Sequence, residues 1–351
     1  MPANSYSIKS TANPELSAKI TAHLNDLTKP QGSLGRLEDI ALQYCLCRGD
    51  AAANITAMKV FAFAGDHGIT DEKVGPYPKE VTRQMVLNML GGGAAISVLC
   101  KNGGIDYSVV DMGVDADFDP HPLLIQCKVG RGTANFAKEP AMSIAACQQA
   151  VDAGNKLAQE YSGDLIGIGE MGIGNSSSAA ALYSMLLQLN PTVTVGMGTG
   201  STGPLLEHKI AVISRAVNMH QLSWDGTAFD ALRRVGGYEI AGMTGIILGA
   251  AQKRIPVVVD GFIASAAALA AIHIAPLVKE YLFFAHASAE RFHAAFLDTH
   301  DIRPILNLGM RLGEGSGAAL AMQVVKQSLN CYHSMTTFSG AGVSGQIASA
   351  C

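Results

Sequence analysis

Five short, nearly continuous apolar runs limit what this chain can fold into. They are Met58–Ala64, Tyr107–Met112, Asp164–Ile168, Ile255–Val259 and Tyr281–Ala285. Each is short for a helix, and none shows the polar alternation of a strand with one wet face. Runs of this kind suit strands covered on both sides. Between them, Glu80–Leu90, Ala94–Cys100, Ser143–Tyr161 and Ser176–Leu189 carry apolar residues at helical spacing, and Asn175 stands where a helix cap is expected. Strands alternating with helices predict an α/β fold, a mostly parallel sheet flanked by helices and Rossmann-like in type. Pro14–Leu27, Leu34–Cys47 and the stretch from Gly315 to Asn330 are also helical in pattern. The two ends, 1–50 and 295–351, are therefore expected to form a small helical domain beside a large α/β domain at 51–294. The Ser/Gly-rich tail (FSGAGVSGQIASAC) is expected to fray.

Composition removes several classes. With 48% apolar and 15% charged residues, the chain is not of the disordered type. Its 25 basic and 29 acidic residues leave a formal charge of −4, which offers no basic face for nucleic acid or an anionic membrane. Seven scattered cysteines with no Cys-x-x-Cys pair read as reduced thiols and a cytoplasmic location. The opening MPANSYSIKSTANPELSAK lacks the apolar core of a signal peptide. The most membrane-like stretch, Pro256 to Pro276, is interrupted by Asp260, Gly261 and His273, and reads as a strand followed by a buried Ala-rich helix.

In parallel sheets chemistry collects at the C-terminal strand ends, and this chain places glycine turns there. They include Gly65-Asp66-His67-Gly68, Gly169-Glu170-Met171-Gly172-Ile173-Gly174-Asn175, Gly196-Met197-Gly198-Thr199-Gly200-Ser201, Asp260-Gly261-Phe262 and Arg311-Leu312-Gly313-Glu314-Gly315-Ser316-Gly317. Gly167-x-Gly169-x-x-Gly172 has the form of the dinucleotide fingerprint. The carboxylate expected about 20 residues later for the ribose is missing, which argues against a nicotinamide-dinucleotide oxidoreductase. What survives is an anion site, backbone amides freed by glycine beside a helix N-terminus, for which one phosphate suffices. A non-catalytic nucleotide sensor would also fit that much. There is no Walker A pattern, and no acidic pair leads into a Thr-rich loop, so a magnesium-bound phosphoribosyl pyrophosphate is not the expected donor.

Glu314, set between glycines, reads either as a general base raised by an apolar pocket or as a charge favoured at a helix N-terminus. Glu170, beside the anion-binding amides, suits ribose hydroxyls or a cationic ring. His286, Glu290 and His293 fall at helical spacing, and read as a metal site or as an ordinary polar helix face. Asp66-His67 could form an acid–base pair if the turn let them converge. Ser33, Ser176, Ser177 and Ser178 lack a Gly-x-Ser-x-Gly setting, so no hydrolase nucleophile is expected.

These motifs, with Lys29-Pro30-Gln31-Gly32-Ser33-Leu34-Gly35, Glu80-Val81-Thr82-Arg83-Gln84-Met85, Gly92-Gly93-Ala94-Ala95-Ile96, Gly236-Gly237-Tyr238-Glu239-Ile240 and Pro256-Val257-Val258-Val259-Asp260-Gly261-Phe262, run in order through nearly the whole chain. The chain resembles the nicotinate-nucleotide:dimethylbenzimidazole phosphoribosyltransferase family. Ala285 and Phe292 depart from the smaller polar residue and the glycine expected near His286–His293. The resemblance implies a two-domain homodimer. It implies transfer of phosphoribosyl from nicotinate mononucleotide to a benzimidazole, with no metal and no cofactor. It implies Glu314 as the base, with Gln84 and Leu312 bordering the aromatic acceptor. It also implies that Glu170, Gly172, Gly174, Asn175, Gly198, Gly200 and Lys209 surround the nucleotide and its phosphate.

Overall fold

The computed structural model describes residues 6–343. Strands β1 (Met58–Gly65), β2 (Asp106–Gly113), β3 (Leu124–Gln126), β4 (Leu165–Met171), β5 (Val257–Val259) and β6 (Leu282–Phe284) form one sheet. Their order is β3-β2-β1-β4-β5-β6, and every pair is parallel. All five apolar runs are strands. The sixth, β3, escapes notice because it is three residues long and no part of it is fully buried. β4 runs on through Glu170 to Met171, past the Gly169 where the pattern suggests a stop.

Successive strands step outward from β1 to β3, and the chain then returns to the other side of β1 to lay down β4. The crevice between the C-terminal ends of β1 and β4 is thus the topological switch point, where ligands bind in such sheets. The Gly-x-Gly of β4 serves packing. A Cβ at Gly167 would lie 2.6 Å from Met322 Sδ, and one at Gly169 would lie 2.0 Å from the backbone nitrogen of Gly315. The fingerprint's form therefore arises from a helix and a turn lying directly on the strand, not from a pyrophosphate cradle.

Helices Pro14–Asp26, Arg36–Arg48, Glu80–Leu90, Ala95–Gly103 and Ser316–Ser334 cover one face. Ile144–Glu160, Asn175–Leu187, Tyr238–Gln252 and Phe262–Ile274 cover the other. Tyr238–Gln252 has no helical period to read, because every residue from Tyr238 to Ala251 is buried. Small residues let it touch its neighbour backbone to backbone: a Cβ at Gly154 would lie 1.9 Å from Gly242 O. The Pro256–Pro276 stretch is β5 followed by helix Phe262–Ile274, and among the described residues no helix is long and apolar enough to cross a membrane.

The two ends of the described chain meet. Leu27 bridges Thr337, Thr28 N donates to Thr336 O at 2.9 Å, and Ser339 Oγ donates to Asp26 at 2.6 Å. The tail is therefore tied down through the short turn Phe338–Ala341, contrary to the fraying expected there. The rest of that expectation, 344–351, lies outside the described residues.

Candidate active site

Beside the switch point, past the C-terminal ends of β4, β5 and β6, lies a cleft lined by Glu170, Gly172, Asn175, Gly261, His286 and Gly313, among others. A second hollow, at the switch point itself, shares Asn175, Ser176 and Thr199 with it and reaches Thr70, Gly174, Ser177 and Lys209. Gly174, at φ +98°, turns the chain into helix Asn175–Leu187. Asn175 does not cap that helix as expected. Gly174 holds the cap position, and the Asn175 side chain donates to Glu170 instead. A left-handed glycine can hand a strand directly to a helix, which frees the asparagine for the site.

The end of the crevice at this helix N-terminus is built for an anion. Lys209, on helix Gly203–Gln221, is buried, and its Nζ donates to Ser176 Oγ at 3.0 Å. Burial pushes its pKa down to about 8, with the Glu290 carboxylate pulling the other way. Gly198, at φ +56°, lies so close that a Cβ would sit 2.5 Å from Ser176 Oγ. An ammonium, a hydroxyl and a helix N-terminus in one corner are chemistry for a phosphate. Gly200, at φ +130°, turns the loop in open space nearby.

The other end carries carboxylates. Gly313, Glu314 and Gly315 are all left-handed, at φ +84°, +65° and +87°. For Glu314 this conformation is costly, and such strain persists only where the surroundings impose it. Asp260 imposes it: its buried carboxylate accepts from Gly315 N at 2.9 Å and Ala318 N at 3.0 Å, pinning the turn and the start of helix Ser316–Ser334. Burial raises the Asp260 pKa to about 7, opposed by those backbone donors. Leu312 and Gly313 line the cleft, and Leu312 is exposed at its mouth. Glu314 lies behind them, buried, with Oε2 3.5 Å from Ile96 N at the start of helix Ala95–Gly103. Burial raises its pKa, Asp260 adds to the rise, and the Ile96 amide opposes it. Both readings left open by sequence are present, a buried carboxyl with raised proton affinity and a carboxylate at a helix N-terminus, but that helix is Ala95–Gly103, distant in sequence. Glu170, at the end of β4, accepts from Asn175, and burial pushes its pKa up to about 8, with Asp260, Glu239 and Glu314 adding their charge.

Of the remaining candidates, His286 and Glu290 line the cleft and the others lie apart from it. Gln84 is exposed and lines a separate depression with Asp66, Lys79, Arg83 and Asp115. The Thr82 hydroxyl docks the same helix on the cleft by accepting from Ile173 N at 3.0 Å. Asp66 and His67 part: Asp66 accepts from Asp115 N, while His67 lies 2.7 Å from Glu239 Oε1 and 2.9 Å from Ser178 Oγ. His286, Glu290 and His293 do not share a helix face, because the helix starts only at Arg291. His286 instead bridges Leu306 as extended chain, and His293 bonds Ser265 and the Ser288 backbone. No cluster of metal-ligating side chains is found among the described residues. Two residues of the site give little sequence signal. Asp260, buried behind the Glu314 turn, is marked only by a strand-end turn, and Arg311, which lines the cleft and whose Nη1 donates to Gly198 O at 3.4 Å, only by its motif.

An anion end and a carboxylate end set in one crevice of a parallel sheet define a nucleotide-handling α/β enzyme. The phosphoribosyltransferase family model matches residues 10–343. The nicotinate-nucleotide–dimethylbenzimidazole phosphoribosyltransferase of Chlorobaculum parvum is 52% identical over 334 residues, 94% of each chain. That of Nitratidesulfovibrio vulgaris is 46% identical over 336 residues, again 94% of each. The crystal structure of CobT from Thermus thermophilus superposes with a TM-score of 0.90 at 39% identity, covering 94% of this chain and 99% of that one. The chain belongs to the nicotinate-nucleotide–dimethylbenzimidazole phosphoribosyltransferase family.

Proposed function

We propose that this chain transfers the phosphoribosyl group of nicotinate mononucleotide to 5,6-dimethylbenzimidazole or a related azole, giving alpha-ribazole 5'-phosphate and nicotinate in cobamide nucleotide-loop assembly. The observation that carries the reading is that Lys209 and Ser176 line one hollow while Leu312 and Gly313, beside the strained, buried Glu314, line the cleft that adjoins it. The phosphate takes the Lys209 end, beside Gly172, Gly174, Gly198 and Gly200. Glu170 and Asn175 address the ribose. The acceptor ring takes the Leu312 side with its N–H toward Glu314, and Gln84, which lines a separate depression in this structure, is assigned to border it from there.

The chemistry needs little else. In the donor the nicotinate nitrogen is quaternary, so it departs as a neutral pyridine nitrogen. One acceptor nitrogen attacks the anomeric carbon from the opposite side, inverting the β linkage to α. The other ring nitrogen then surrenders its proton to the Glu314 carboxylate. Holding the phosphate turns the encounter into a positioned reaction. We assign residues 1–50 and 295–351 to a helical unit and 51–294 to the α/β body, and place the working enzyme as a cytoplasmic homodimer.

Incubation with nicotinate mononucleotide and a panel of azoles, with products identified by mass, tests this directly. Benzimidazoles lacking one methyl should react within roughly 10–200-fold of the dimethyl compound, with at most that factor again for the second, because a hydrophobic pocket discriminates weakly against a missing methyl. An N-methylated benzimidazole should be worse than any of these, since it offers Glu314 no proton and sets a methyl against a carboxylate. Equal turnover of that compound would leave the carboxylate an electrostatic role only.

A further inference from the structure

Glu290 enters the cleft from the residue before helix Arg291–Thr299, and neither the metal reading nor the transfer chemistry gives it a part. Its place is nonetheless specific. The glycine loop at 196–200 threads between two groups. On one side, a Cβ at Gly196 would lie 2.1 Å from Glu290 Oε2. On the other, a Cβ at Gly198 would lie 2.5 Å from Ser176 Oγ and 3.0 Å from Lys209 Nζ. The Gly198 N–H faces the Glu290 carboxylate, and the Gly198 carbonyl accepts from Arg311. The loop backbone is therefore clamped between a carboxylate and the phosphate-facing ammonium, with no room for a side chain at Gly196 or Gly198.

We infer that Glu290 is a positioning residue of the phosphate corner: it seats the 196–198 backbone against Ser176 and supplies the negative charge that the buried Lys209 faces. The inference deepens the transferase reading, on which it rests only for the identity of the donor. A carboxylate this near a phosphate repels it, so a direct phosphate contact is not its role. Its worth lies in the amine. Because it is buried, Lys209 tends to shed its proton, and the Glu290 charge opposes that loss. Glu170, pushed up to about 8 by burial, and His286, held down by burial, line the same cleft, and neither is altered by a change at Glu290. Glu290 faces Lys209 from the segment before Arg291, and Arg311 faces Glu290 from the glycine-rich turn. Lys209's direct hydrogen bond goes to the neutral Ser176.

The sign follows. Removing the carboxylate lowers the proton affinity of Lys209, so the ammonium, and phosphate affinity with it, disappears at lower pH. Ribose 5-phosphate is the probe, titrated calorimetrically against the full chain across a pH series. Its phosphate changes charge near pH 6, below the region of interest. For the unaltered chain, affinity should fall as pH rises through about 8. In Glu290→Gln that fall should begin at lower pH, and each pH unit of displacement would cut affinity near pH 8 about fivefold. Glu290→Asp restores the charge and should return the limb toward its original position. In the transfer assay, Glu290→Gln should raise the KM for nicotinate mononucleotide while kcat at saturating donor stays within about twofold. An equal loss of affinity at every pH, no loss at all, or an Asp variant indistinguishable from Gln would each overturn the inference. Failure of the chain to consume nicotinate mononucleotide would defeat the transferase reading alone, since the ribose 5-phosphate titration still decides the role of Glu290.

Discussion

Glu314→Gln should lower turnover by about 10²–10⁴-fold, the usual worth of a positioned general base. The substitution keeps the size of the side chain and one oxygen for the Ile96 amide, so the left-handed turn held by Asp260 should survive. Circular dichroism and donor affinity should match those of the unaltered chain. The pH profile adds a second readout. Glu314 must be ionised to accept a proton, and burial has raised its pKa, so activity should fall on the acid side as pH drops through that raised value. The Gln variant should lose that limb. Near-normal turnover would move the base elsewhere, and Glu170, pushed up to about 8 at the end of β4, would be next to test.

Gly169→Ala should be nearly as damaging without touching a charged group. The new Cβ would lie 2.0 Å from Gly315 N and 2.4 Å from the Glu314 carbonyl carbon, and both are backbone. No flexible side-chain tip can swing aside, so the turn itself has to move. A displacement of about 1 Å of a reacting group costs about 10²-fold in rate. Overpacking of this kind costs about 1–3 kcal/mol of stability. Loss of kcat together with a lowered Tm is the expected pattern. Unchanged values of both would mean that the Glu314 turn is not seated on β4.

Much of this is legible in the residues, for identifiable reasons. A strand buried on both faces writes itself as an apolar run, so β1, β2 and β4 to β6 can be read, while the short, partly wet β3 cannot. Glu80–Leu90 has one wet side and shows its period; Tyr238–Gln252 has none and shows nothing. The glycine turns flag the crevice, and Glu314, Glu170, Gly198 and Lys209 all lie in or against it. Spacing misleads where secondary structure does not continue. It puts His286 and His293 on one helix, but that helix begins only at Arg291. It makes Asn175 a cap, because the left-handed freedom of Gly174 is silent in sequence. The pinning of Glu314 by Asp260 joins residues that only the folded sheet brings together, and no local pattern can announce it.

The joining of the two ends of the chain also bears on how the protein is made. Ser328 Oγ donates to Leu37 O across 291 positions, and the buried face of helices Pro14–Asp26 and Arg36–Arg48 packs against Ser316–Ser334. At a synthesis rate of about 5–20 residues per second, the early helices wait about 15–60 s for their late partner to emerge. During that time Ile20, Leu24, Leu27 and Ile40, all buried in the finished fold, lack the part of their cover that this helix supplies, and so does the face of β4 on which it lies. The nascent chain is thus most prone to aggregation, and most in need of a chaperone, along the face that Ser316–Ser334 will close. The same late segment brings Glu314, so an unfinished chain can bring Lys209 and Ser176 together but lacks the left-handed turn at 313–315.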